Sequence, residues 1–158
     1  MDDGLLVPDD IIIGVLRQRL DAEDCADGYI LDGVPRTIAQ AQAIDQMGIK
    51  IDRVISMQVA DDVILQRITG RRSCPACGAS YHIEYKAPAT ADICDHCGEL
   101  LVTRNDDTLQ TAKKRLQVYH ESTEKLLEYY GKAGMLYTVC GAHEISDTTR
   151  NLLKVLEL

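Results

Sequence analysis

Gly28-Tyr29-Ile30-Leu31-Asp32-Gly33-Val34-Pro35-Arg36-Thr37 is the segment from which the architecture of this chain can be worked out. A short apolar run of buried-strand type ends abruptly at Asp32-Gly33, and Thr37 opens a helical pattern that lasts to about residue 47, where Gly48 ends it. Residues 53–59, rich in Val and Ile, read as another strand. Asp61 or Asp62 caps a helix through Ile68, and Gly70 closes it. Strand, helix, strand, helix implies parallel strands joined by crossover helices. Upstream of the segment, Ile12, Ile13, Leu16 and Leu20 share one face of a helix that starts after Pro8, with Asp9 or Asp10 as its cap. Downstream, residues 108–130 read as one long helix with an apolar stripe of Leu109, Ala112, Leu116, Tyr119, Leu126 and Leu127. Gly131 and Gly134 mark its end, residues 136–139 form a last strand and residues 147–156 a last helix.

The 158 residues suit one domain with a small insertion and can bury a real core. Hydrophobic residues make up 46% and charged residues 27%, ordinary globular usage that excludes wholesale disorder. Seven Tyr with no Phe or Trp predict an aliphatic core. No run approaches the roughly 18 apolar residues of a membrane span, and Met1-Asp2-Asp3-Gly4 is not expected to start a signal peptide. The net charge of −8 argues against general nucleic-acid binding but does not exclude a local basic cluster.

Six cysteines in a chain not expected to carry an export signal point to thiols rather than disulfides. Four form two knuckles, Cys74-Pro75-Ala76-Cys77-Gly78 and Cys94-Asp95-His96-Cys97-Gly98. Each tight knuckle presents two sulfurs to one metal, so the pair fits a structural tetrahedral Zn²⁺ site, with iron on four thiolates and two disulfides as the other readings. Gly78 and Gly98 stand where the turn needs positive φ. His82 and His96 read as surface histidines, and Cys25 and Cys140 as small buried residues. Between Arg71 and about Thr103 lies a zinc-held β insertion, too small to stand without its metal.

Arginines cluster where such a fold places ligands, beyond the carboxyl ends of the strands. Arg36 follows the first strand end, Arg67, Arg71 and Arg72 enter the insertion, and Arg104 and Arg115 follow it. Planar guanidinium groups bind phosphate bidentately, although any one surface arginine is more often a solvated charge. Asp32 at a strand end either holds Mg²⁺ through water or caps the next turn.

Asp32-Gly33-Val34-Pro35-Arg36-Thr37, Gly70-Arg71-Arg72, the two knuckles, Ser80-Tyr81-His82, Leu101 through Asp107, Lys114-Arg115-Leu116 and Tyr119-His120 together resemble the adenylate kinases of the long form with a zinc-bearing lid. The resemblance covers nearly the whole chain. It implies an α/β fold: a P-loop-kinase-like parallel sheet with flanking helices, incomplete at its N-terminus, plus a small zinc-held β lid. The implied parts are a core over 1–70 and 104–158 and a lid over 71–103. It further implies transfer of a phosphoryl group from MgATP to AMP, giving two ADP, in a cytoplasmic enzyme that is monomeric at full length. Val7, Gly33, Arg36 and Gln40 would hold AMP, and Arg104 and Arg115 would reach its phosphate and the transferring group. Arg67 and Arg71 would bind ATP phosphates, Ser80 and Tyr81 would line the lid's nucleotide face, and His143 would contact the ATP base by backbone. Asp32 would serve the Mg²⁺, Cys74, Cys77, Cys94 and Cys97 the zinc, and Asp106-Asp107 would lie at the lid hinge.

The chain departs from the family pattern at Val34, where Phe is usual, and at Cys140, where Asp often precedes Gly141. It also contains no Gly-x-x-x-x-Gly-Lys-[Ser/Thr]. The family's first strand and phosphate loop would lie ahead of Met1, so these 158 residues alone are expected to be inactive. The other readings are a non-catalytic nucleotide- and zinc-binding remnant, and a zinc-ribbon interaction module.

Overall fold

The computed structural model describes residues 5–142 and 144–157. Its helices and strands are α1 (Asp9–Leu20), α2 (Ile38–Gln46), β1 (Val54–Gln58), α3 (Asp61–Thr69), β2 (Arg71–Ser73), β3 (Ser80–His82), α4 (Leu109–Val118), a π-helical turn (Tyr119–Thr123), α5 (Lys125–Lys132), β4 (Leu136–Cys140) and α6 (Ile145–Leu156). They divide into two compact units, one spanning Val59–Leu116, the other combining Leu6–Gln58 with the chain from Gln117 onward.

The second unit carries a parallel sheet with flanking helices. β1 and β4 pair in parallel, Val54 opposite Leu136 and Gln58 opposite Cys140. Ala41 of α2 and Leu126 and Tyr130 of α5 are buried together, with Ile38, Val54, Tyr129, Met135 and Leu136 packed against them. The Tyr129 hydroxyl donates to Asp45 at 2.6 Å, tying α5 to α2. Burial pushes the Tyr130 phenol up to about 12, with the charges of Asp45 and Tyr129 adding to it. On α1 the 3.6-residue period is realised as read: Leu16 is buried, Ile12, Ile13 and Leu20 half-buried, and Ile11 and Val15 exposed. Thr37 caps α2 through its side chain, accepting from the Gln40 amide, and Gly48 follows with φ of 71°.

Several expectations need correction. Residues 28–31 form no strand; Ile30 is 91% exposed, because among the described residues no neighbouring strand takes up this run's backbone groups. Neither Asp9 nor Asp10 caps α1, since Pro8 occupies that position and Asp9 is the first helical residue. Ala60, not an aspartate, caps α3. The long helix is interrupted by the π-helical turn, and of the residues along it Leu109 and Tyr119 are exposed while Tyr130 is buried. Cys140 is exposed and Cys25 half-buried. His82 is no plain surface histidine: its Nδ1 accepts from the amides of Glu84 and Tyr85.

The Val59–Leu116 unit is built around the cysteines. β2 and β3 pair antiparallel, Arg71 opposite His82 and Ser73 opposite Ser80. Cys74, Tyr81, Cys94 and Leu101 form its buried cluster, with Ala79 against it. His82 and Tyr85 stack with ring centroids 4.5 Å apart, and the His82 ring lies so close to Gly70 that a Cβ there would meet it at 2.2 Å.

Candidate metal centre and phosphate-binding arginines

The two knuckles repeat one backbone device. The Cys74 amide donates to the Ala79 carbonyl and the Gly78 amide to the Cys74 carbonyl; Cys94, Glu99 and Gly98 repeat it. Gly78 and Gly98 share a φ of 75°, a conformation that only glycine adopts freely. The four Sγ atoms lie within 4.8 Å of one another, with Cys74–Cys97 at 3.4 Å and Cys77–Cys94 at 3.5 Å. A tetrahedral ion with metal–sulfur bonds of about 2.3 Å would space its sulfurs about 3.8 Å apart, so this donor set can hold one metal ion. Burial works against ionising Cys94, but hydrogen bonds from the Tyr81 hydroxyl and from the backbone of His96 and Cys97 outweigh it and bring the thiol down to about 6.

Tyr81 belongs to this centre. Its side chain is buried, its hydroxyl lies 3.5 Å from Cys94 Sγ, and it accepts from the Asp95 amide at 2.8 Å. The hydroxyl is thus occupied in the knuckle cluster, whereas Ser80 beside it is exposed.

Three of the expected arginines in this unit meet two adjacent aspartates. Arg71 donates to both oxygens of Asp107, at 2.8 and 2.5 Å, and the Asp107 side chain is fully buried. Arg104 donates to both oxygens of Asp106, at 3.0 and 2.9 Å, and Arg115 also bonds Asp106. Burial would raise the Asp106 carboxyl, yet its bonds to Arg115 and Arg104 hold it below the usual carboxylate range. Three guanidinium groups on two carboxylates leave one net positive charge, with planar donors held in fixed orientations. Arg67 lies half-buried in the last turn of α3.

The remaining expected residues fall in the other unit. Gly33 has φ of 72°, and a Cβ there would meet the Arg36 guanidinium at 2.8 Å. Arg36 Nε donates to the Gly33 carbonyl at 2.8 Å, folding the side chain over its own turn. Gln40 is buried, accepting from the Arg36 amide at 2.7 Å and donating to Asp9 at 2.7 Å. Val7 is half-buried and Asp32 exposed, while His143 lies outside the described residues. Sequence reasoning missed the carboxylate of Asp9, the hydroxyl of Thr123 on the Arg36 carbonyl, and Tyr81 as a knuckle residue. None of the three carries a local signal, because each partner is remote in sequence.

The family model described as adenylate kinase matches residues 1–135. The chain belongs to the adenylate kinase family. Curated adenylate kinases resemble it over 99% of its length and 74% of theirs, at 51% identity in Caldicellulosiruptor saccharolyticus, 50% in Caldicellulosiruptor bescii and 45% in Archaeoglobus fulgidus. Adenylate kinases are phosphotransferases acting on nucleotides, with a P-loop-kinase fold. The parallel β1–β4 pair, its flanking helices and the four-cysteine cluster agree with that fold. No helix among the described residues is long and apolar enough to cross a membrane.

Proposed function

We propose that this adenylate kinase chain serves the reversible reaction of ATP with AMP to give two ADP. The grouping of Arg71, Arg104 and Arg115 on Asp106 and Asp107 carries the reading. Phosphoryl transfer needs no covalent intermediate; it needs in-line placement and positive charge on the equatorial oxygens of the moving group. Guanidinium groups already oriented by carboxylates supply that charge without reorganising at the moment of reaction. In this assignment Val7, Gly33, Arg36 and Gln40 serve the monophosphate nucleotide, Arg104 and Arg115 its phosphate and the group in transfer, and Arg67 and Arg71 the triphosphate. Ser80 and Tyr81 would line the nucleotide face of a lid over 71–103, and His143, outside the described residues, would contact the ATP base by backbone. The core is 1–70 with 104–158.

Cys74, Cys77, Cys94 and Cys97 would hold Zn²⁺, whose four filled positions make it structural and keep the lid a single body. Mg²⁺, held through water at Asp32, would neutralise charge on the ATP phosphates. Lid residues exclude water, so that the phosphoryl group goes to AMP. Six free cysteines suit the reducing cytoplasm, and the family resemblance points to a monomer for the full-length chain.

The 158 residues contain no Gly-x-x-x-x-Gly-Lys-[Ser/Thr], an observation that favours nucleotide binding without turnover for the chain by itself. Calorimetric titration with AMP should show saturable binding that Arg36→Ala weakens, and no binding would contradict the assignment. In a coupled ADP-forming assay the chain should show no turnover above background; a full kinase rate would overturn the reading of binding alone.

A further inference from the structure

The Arg36 backbone is held on both sides, and the hold rests on two residues, Asp9 and Thr123, that the proposed nucleotide contacts do not include. On one side, its amide donates to Gln40 Oε1 at 2.7 Å. Gln40 can present that oxygen only because its Nε2 donates to Asp9 Oδ1 at 2.7 Å, which fixes which way the amide faces. The other oxygen of Asp9 accepts from the Thr37 hydroxyl at 3.0 Å, and that hydroxyl in turn caps α2 by accepting from the Gln40 amide at 3.1 Å. One half-buried carboxylate at the start of α1 thereby sets the Gln40 amide, the α2 cap and, through them, the Arg36 amide. On the other side, the Arg36 carbonyl accepts from the Thr123 hydroxyl at 2.9 Å. Thr123 is the last residue of the π-helical turn, the irregularity that places a side chain from the α4–α5 segment against a loop 87 positions earlier.

We propose that Asp9 and Thr123 are positioning residues for Arg36, acting from opposite ends of its peptide to aim the guanidinium at the phosphate of the monophosphate nucleotide. The proposal rests on the reading that Arg36 contacts that phosphate. Asp9→Asn leaves one acceptor where two are used: with its oxygen on Gln40, its N–H₂ turns to the Thr37 hydroxyl, which must accept where it donated, and the charge-assisted bond that fixes Gln40 becomes a neutral one. In the other orientation its N–H₂ confronts that of Gln40, which then takes its oxygen from the Arg36 amide or buries two facing donors. Thr123→Val removes one hydroxyl and keeps the side chain's shape.

The test is titration of the full chain with AMP and, separately, with adenosine, which offers the same base and sugar without a phosphate. Wild type should prefer AMP, and Arg36→Ala should abolish the preference. Asp9→Asn and Thr123→Val should each shrink it, by roughly tenfold for Asp9→Asn, the size of one well-placed charge-assisted hydrogen bond. Adenosine affinity should stay within about twofold, a change too small to count as a lost contact. Loss of affinity for both ligands alike would mean a purely structural role and would overturn the proposal. So would an unchanged preference in Asp9→Asn and Thr123→Val while Arg36→Ala loses it; that result leaves the Arg36 reading standing. A preference that survives Arg36→Ala, or wild type without one, removes the Arg36 reading and the proposal with it. If Asp9→Asn does not fold, Thr123→Val decides alone.

Discussion

The two compact units solve the same problem, holding arginines still, with different physics. In the Val59–Leu116 unit the buried cluster is four residues, two of them cysteines, and its regular structure is one three-residue strand pair beside two helices. Its order comes from four sulfurs converging on one point and from carboxylates that seize Arg71, Arg104 and Arg115 directly. The sheet unit has a parallel strand pair and an apolar cluster around Tyr130, and it fixes Arg36 by its backbone, through neutral amide and hydroxyl groups. With the proposed zinc in place, the first strategy makes the unit depend on a metal and on ionised aspartates that touch the guanidinium groups. The second makes it depend on packing and on one carboxylate, Asp9, that reaches Arg36 only through Gln40 and Thr37.

That contrast can be broken in a graded way. The largest effect is expected from Cys94→Ser, since a structural zinc supplies folding energy of about 10–16 kcal/mol in small metal-held domains. Zinc content should collapse, and the spectroscopic signature of the knuckles with it, while the sheet unit's amides remain protected. Next, Tyr130→Ala removes the largest side chain of the other core and should cost about 3–5 kcal/mol in denaturant unfolding, leaving zinc content unchanged. Arg71→Ala strands the buried Asp107 carboxylate; because the arginine itself is a third exposed, the cost should be about 2 kcal/mol rather than the full value of a buried pair. Asp107→Asn should cost less, because the freed guanidinium can be re-solvated.

The smallest effect concerns acid. Asp106 is depressed in the folded state, so the unfolded chain takes up its proton first. Its contribution is therefore complete above the ordinary carboxylate range and is lost as pH falls through the lowered folded value. Asp106→Asn should flatten the acid limb of stability in the Val59–Leu116 unit; an unchanged limb would show that the arginines do not act through this carboxylate.

The same division explains what could be read from sequence. The knuckles were fully legible, because Cys-x-x-Cys-Gly is a local motif and its chemistry needs no remote partner. Helices α1, α2 and α3 and strands β1 and β4 were legible from period and punctuation, since each shows the residue pattern its burial requires. The Gly28–Leu31 run has the same apolar pattern as a strand, but a strand is defined by a neighbour, and pattern does not supply one. The break at Tyr119–Thr123 was invisible because no Pro or Gly marks it. The carboxylate partners of the arginines escaped for another reason. Asp106 and Asp107 were visible as a pair beside Arg104, but the grip of Asp107 on Arg71, thirty-six residues away, is a fact of the folded chain.

Hydrogen exchange on the chain before and after metal removal measures the central contrast most directly. The amides of Cys74, Gly78, Cys94 and Gly98, each bonded within its own knuckle, should lose protection when zinc is stripped, while those of β1, α5 and β4 keep theirs. Uniform loss throughout the chain, or knuckle amides that stay protected without metal, would contradict the account.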